Sequence, residues 1–171
     1  MSGWPHRFAL SVFRYFPPFL RRWSVRFVSP SFTVGAICHI ERSDGDVLMV
    51  RHGYRSGWGV PGGLLQRGEE PAMAAVREVF EEVGLRIELV GEPAVVVDPD
   101  QQRIDLIFRA RPAADSESNL ARPCSPEIIE VAWFRADALP RLQVETGQAL
   151  VALARSARSP QARPFRSDSD R

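Results

Sequence analysis

Apolar and polar positions alternate along much of this chain, and the alternation outlines its elements. Residues 32–40 and 47–50 read as strands on either side of Ser43, Asp44, Gly45 and Asp46, whose Asp-Gly pair is a strong hairpin signal. These two strands are expected to begin the sheet. Residues 86–90, 94–97 and 104–110 read as three more strands, the middle one apolar throughout and the last alternating around Arg103, Asp105 and Arg109. A turn at 98–101 separates the last two. Residues 127–134 form another strand-like run, and Thr146 is expected to cap a final helix that turns Ala149, Leu150 and Leu153 inward. No internal repeat is visible.

A different period governs residues 71–83. Pro71 stands at a first-turn position, where its missing N–H costs nothing, and Gly84 supplies the stop. At about 100° per residue, Met73, Val76, Phe80 and Val83 fall on one face, which is expected to pack. Glu78, Glu81 and Glu82 gather within roughly 100° of arc on the other. Two connections stand out beside these elements. Residues 51–57 form a glycine-rich link, and residues 111–126 are a long Ser/Ala/Pro-rich stretch without periodicity that reads as a lid, a specificity loop or a disordered segment.

Composition fills in this outline. With 171 residues and 44% apolar content, one domain with extensions is the default. The division expected is a cationic amphipathic extension over 1–30, a domain over 31–155 and a disordered Ser/Arg/Pro-rich tail over 156–171. All 22 basic residues are arginine, and five of them precede the first acidic residue, Glu41, so 17 remain against 21 acidic residues. A basic leader therefore precedes a mildly acidic domain. Within residues 4–27, Phe8, Val12, Phe16, Leu20, Trp23 and Phe27 recur at helical steps while Pro17 and Pro18 interrupt any single helix. Such a leader packs on its own domain or a partner subunit, as in a homodimer, lies on an anionic membrane surface, or is disordered. No run reaches the length of a membrane span, and no signal-type apolar core is complete, so a cytoplasmic protein is expected, membrane-associated if the leader engages lipid. Cys38 and Cys124 have no metal-ligand or redox spacing, which points weakly to a reducing compartment. Nothing in the charge pattern calls for a nucleic-acid partner.

The acidic face of the 71–83 helix carries the strongest chemical signal. Glu78 and Glu82 are one turn apart with Glu81 between them, and like charges at that spacing cost a few tenths of a kcal/mol per pair unless a cation relieves them. Bunched hard oxygens suit Mg²⁺ or Mn²⁺, which take one or two carboxylates, several waters and substrate phosphates. A solvated acidic helix face is the ordinary alternative.

Gly63, Glu69, Arg77, Glu78, Val79, Glu81, Glu82, Gly84 and Leu85, led in by residues 58–62, resemble the Nudix box of the Nudix hydrolase superfamily at every defining position. The resemblance extends over residues 32–154. It implies an α/β fold, an α/β/α sandwich with a mixed β-sheet, and hydrolysis of a nucleoside diphosphate linked to another moiety by water attack on phosphorus with divalent metal. It assigns Glu78, Glu81 and Glu82, with the Gly63 carbonyl, to the metal, makes Glu81 or Glu82 the base, and gives Arg77 and Glu69 a supporting role. Outside the box, Arg51 or Arg55 could meet a phosphate and Tyr54 or Trp58 a base, while Glu127 or Glu130 could serve as a further metal ligand or base. His52 alone does not mark a base. Two other readings stand beside the enzyme: a nucleotide-binding sensor of the same fold, and a membrane-surface or interaction protein acting through the leader.

Overall fold

The computed structural model describes residues 31–114 and 121–158. The expectations for the leader, namely its helical pieces, membrane contact and dimer surface, lie outside the described residues, as does the tail from 159.

Eight elements follow one another: β1 (Thr33–Ile40), β2 (Asp46–His52), β3 (Gly62–Leu64), α1 (Pro71–Val83), β4 (Ile87–Asp98), β5 (Arg103–Pro112), β6 (Ile128–Arg135) and α2 (Val144–Arg158). Four strands form a mixed sheet in the order β3-β1-β5-β4, with β1 antiparallel to β3 and parallel to β5, and β5 antiparallel to β4. The period-2 rule decides which face of β1 meets which helix. Ala36, Cys38 and Ile40 are fully buried with Ala74, Ala75, Val79 and Val83 of α1, while Ile37 turns the other way, toward Ile107, Ala149 and Leu153. Helices therefore cover both sides, and the architecture is the α/β/α sandwich expected.

β2 departs from expectation. The turn after β1 is present, with Gly45 N–H donating to Arg42 O at 3.0 Å and a single bridge between Glu41 and Val47. Beyond that bridge the strands part, and β2 pairs along its length with β6 in a separate two-stranded sheet. Leu48 and Val50 join the core under α1, whereas Val47 and Met49 pack with Val60 on the opposite side. Both edges of β1 are already taken, by β3 and by β5, so β2 cannot pair along it. A local turn signal fixes the reversal but not the strand partner.

The strands expected at 86–90 and 94–97 are one strand, β4, whose register on β5 shifts between Val90 and Ala94. The irregularity at Gly91 and Pro93 broke the pattern in sequence without breaking the strand. The turn at 98–101 is held by Asp98, whose side chain accepts from Gln101 N–H at 2.9 Å. α2 starts two residues before Thr146, which is buried inside the first turn instead of capping it, and the helix continues to Arg158.

α1 begins at Pro71 and ends on Gly84, whose left-handed backbone (φ 68°) lets its N–H reach Phe80 O at 2.9 Å. The end of the long connection completes this terminus, since Arg122 N–H donates to Val83 O and Cys124 N–H to Glu82 O. Its buried face differs from the face expected. Met73 is 64% exposed and Phe80 52%, while Ala74, Ala75, Val79, Glu82 and Val83 are buried. The helix is thus turned roughly 100° about its axis from the orientation that its largest apolar side chains suggest. Alanines let it lie close to β1, and each fully buried valine contributes about 1.5–3 kcal/mol. The same turn carries Glu82 into the protein.

Candidate active site

Three segments converge beneath one end of the sheet: the β2–β3 connection, the stretch from β3 through α1, and the chain leading into β6. Together with the start of α2 they line a cleft of about 510 Å³.

The β3–α1 loop is closed on itself before it meets the helix. Glu69 N–H donates to Gln66 O at 3.1 Å, and Glu69 Oε2 accepts from Gln66 N–H at 2.9 Å. Eight residues on, Arg77 lays its guanidinium fork across this loop, with Nε on Glu69 Oε1 at 2.8 Å and Nη2 on Glu69 Oε2 at 2.9 Å. The fork geometry matches a carboxylate edge to edge. Arg77 Nη1 then reaches Glu78 Oε1 at 2.7 Å and Glu81 Oε2 at 3.1 Å, and Nη2 reaches Leu64 O at 3.3 Å. One cation therefore ties the loop, β3 and two helix carboxylates together. Its hydrogen bonds, with that of Gln66 N–H, hold the Glu69 carboxyl down at about 2, and the acidic partners raise Arg77 further above its already high value. Both stay charged at any working pH.

Glu82 has a different environment. It is 8% exposed, and its Oε2 accepts from Gly62 N–H at 3.1 Å. Burial pushes its carboxyl up to about 7, the Gly62 hydrogen bond opposes this, and the charges of Glu78, Glu127 and Glu81 add to the rise. Cys38 lies on the same buried side. Its thiol donates toward Ala75 O at 3.7 Å, and burial followed by the negative charge of Glu82 lifts it to about 12, so it remains a neutral packing group.

Gly63 shows why glycine stands at that position. A methyl group there would lie 2.4 Å from Glu78 Cδ, so the strand backbone passes directly against the carboxylate. Of the helix carboxylates, Arg77 takes one oxygen each of Glu78 and Glu81 and Gly62 one of Glu82, and Glu78 Oε2, Glu81 Oε1 and Glu82 Oε1 carry no hydrogen bond among the described residues. Among the described residues, no three His, Cys, Asp or Glu side chains close into a ready-made metal cage. Such a partly open set of hard oxygens fits an ion like Mg²⁺, which keeps several of its waters, better than one that requires a full protein shell.

The residues expected outside the box divide in two. Tyr54, Arg55 and Glu127 line the cleft, where Tyr54 OH donates to Glu127 Oε2 at 2.9 Å and the Arg55 guanidinium lies 5.5 Å from the Tyr54 ring centre. Arg51 and Trp58 do not line it. Arg51 is paired across the β2–β6 ladder with Glu130 at 3.2 Å, which also accounts for Glu130. Trp58 packs edge to face on Phe134 at 4.9 Å, in the apolar cluster under β2. The side-chain period of β2 and β6 sends Arg51 and Glu130 away from the site.

Lining residues given no role at the site by the sequence include Gln143, just before α2, and Glu145 and Thr146 in its first turn; Arg103, one of the charged residues of the alternating strand β5, lines it as well. Gln143 Nε2 donates to Gly57 O at 3.4 Å and approaches His52 Nδ1 at 3.3 Å. This contact bridges the β2–β3 connection to the last helix. Residues from β5 and α2 carry no local signal for such a role, because only the sheet order and the packing of α2 bring them beside the box.

A family model described as the NUDIX domain matches residues 31–154. A MutT-like protein from Streptomyces ambofaciens is 29% identical over 116 residues, covering 68% of this chain and 72% of that protein. A human diphosphoinositol polyphosphate phosphohydrolase 3-beta is 43% identical over 63 residues, a stretch that covers 37% of this chain and only 38% of that one. Among solved structures, a NUDIX hydrolase from Nitrosomonas europaea superimposes with a TM-score of 0.62 at 24% identity, over 77% of this chain and 76% of that chain, a similarity of fold.

Proposed function

Since this chain belongs to the NUDIX family and is a hydrolase acting on phosphoanhydride bonds, we propose that it is a divalent-metal-dependent pyrophosphohydrolase cleaving a nucleoside diphosphate linked to another moiety. Glu82 carries this reading. A buried carboxyl raised to about 7 beside two other glutamates is an arrangement that costs folding energy, and such groups cluster at functional sites.

A diphosphate repels an incoming nucleophile with its own negative charge, and Mg²⁺ or Mn²⁺ held by Glu78, Glu81, Glu82 and the Gly63 carbonyl would offset that charge and acidify a bound water. The remaining work belongs to side chains. Glu81 or Glu82 takes the proton of the attacking water. The new bond runs from water oxygen to phosphorus, the bridging P–O bond breaks, and the bridging oxygen leaves on the second phosphate. Arg77 and Glu69 hold Glu78 and Glu81 in place through the network above. Tyr54 offers an aromatic surface to the nucleoside, its hydroxyl fixed by Glu127.

A phosphatase-coupled phosphate assay over ADP-ribose, NADH, nucleoside triphosphates and diadenosine polyphosphates tests the reading. Phosphate should appear from at least one nucleoside diphosphate derivative with Mg²⁺ present and should stop with EDTA. Turnover of none of them, or turnover indifferent to EDTA, would contradict it.

A further inference from the structure

We propose that the cleft selects a diphosphate whose two flanking groups carry no additional phosphate, and that Glu145 enforces this selection by occupying Arg55. The inference rests on the pyrophosphohydrolase reading and narrows it to a substrate class.

Charge balance is the basis. Among the described residues, five carboxylates but only two guanidiniums line the cleft. His52 adds no positive charge at neutral pH, because burial and then the neighbouring Arg55 lower its proton affinity. Both arginines already have acidic neighbours. Arg103 Nε donates to the two oxygens of Asp105 at 2.8 and 2.9 Å, and Arg55 Nη1 stands 3.9 Å from Glu145 Oε1. One or two divalent ions on the box glutamates bring this lining to roughly neutral, enough to receive a diphosphate diester. A ring phosphorylated at most of its carbons, or a longer phosphate chain, places further anions against Glu127 and Glu145 with no unpaired cation among the described lining residues to meet them. Sites that accept such ligands are built from clustered basic side chains.

Glu145 is the residue through which this can be tested. It stands in the first turn of α2, and neither it nor Arg55 is well buried, their side chains being 46% and 39% exposed. A pair this exposed contributes little to folding. Its effect is instead to keep Arg55 beside a carboxylate, so that an additional phosphate must displace it.

The test uses the full-length chain with Mg²⁺ and compares kcat/KM for ADP-ribose, ATP and a diphosphoinositol pentakisphosphate. ADP-ribose should exceed the other two by about 100-fold, the scale of unfavourable like-charge contacts. In Glu145→Gln that ratio should fall about tenfold, mainly through KM of the phosphate-rich substrates, while Glu145→Asp keeps it. Preference for a phosphate-rich substrate overturns the inference and leaves the pyrophosphohydrolase reading standing, as does a ratio that Glu145→Gln does not move. No turnover of any of the three, nor of NADH or the diadenosine polyphosphates, overturns both.

Discussion

Glu82 and Arg77 are adjacent to the same pair of glutamates and both hold their proton more tightly than usual, Arg77 chiefly through Glu69 and Glu82 chiefly through burial, so the same shift keeps one charged and drives the other toward neutrality. Arg77 lies where its donors reach five acceptor oxygens on four residues, while Glu82 has one backbone N–H and three acidic neighbours. Replacing Glu82 by Gln keeps the shape and the Gly62 hydrogen bond but removes the charge. Turnover should fall by at least roughly 10²-fold, a loss on the scale of a removed general base. Metal-free stability should respond in the other direction. The folded state binds the Glu82 proton more tightly than the unfolded chain, because its value moves up from 4.5 to about 7. That contribution is complete below about pH 4.5 and is lost as pH rises through 7, an effect on the order of 2–3 kcal/mol. His39 and His52, both lowered from 6.5, have the opposite slope below that value, so the comparison must be between variants. Denaturant melts without metal at pH 5 and pH 8 should show Glu82→Gln gaining on the unmodified protein at the higher pH. Equal gaps at the two pH values would contradict the buried, raised carboxyl.

At the scale of one element, α1 shows how packing overrides a reading by side-chain size. Met73 and Phe80 are its bulkiest apolar residues, and both are largely exposed. Small residues win the inward face because β1 passes close by, presenting Ala36 and Cys38 to Ala74, Ala75 and Val79. Val79→Ala should therefore cost about 2 kcal/mol in chemical denaturation, whereas Phe80→Ala should stay within about 0.5 kcal/mol. A larger loss for Phe80 than for Val79 would put the expected face back in the core. The rotation also has a chemical effect. With the outward face expected from the sequence, all three glutamates would stand in water with ordinary proton affinities. In the observed orientation Glu81 remains 55% exposed, Glu78 is pinned against Gly63 and Glu82 is buried, so three identical residues acquire three different roles.

Across the whole molecule, metal, proton and fold are linked. On the proposed assignment a divalent ion needs Glu82 ionised, and folding favours Glu82 protonated, so the ion and the proton compete. About 10 mM Mg²⁺ should raise the melting temperature by roughly 3 °C at pH 8 and by little at pH 5.5, and the gain should vanish in Glu82→Gln. A Mg²⁺ effect independent of pH or of Glu82 would place the ion elsewhere. Sequence alone was enough for the box, its spacing, the ends of α1 at Pro71 and Gly84, and most strands, because caps, turns and two-residue alternation are local properties. It was also enough for Glu69 with Arg77, since both lie on one continuous loop and helix. It did not reach the separation of β1 from β2, the rotation of α1, or the presence of Gln143 and Glu145 beside the cleft. It also placed Arg51 and Trp58 there when they face elsewhere. These matters depend on which strand pairs with which and on how closely two backbones approach. Such choices are settled by burial summed over residues far apart in the chain, and no short window of sequence contains that sum.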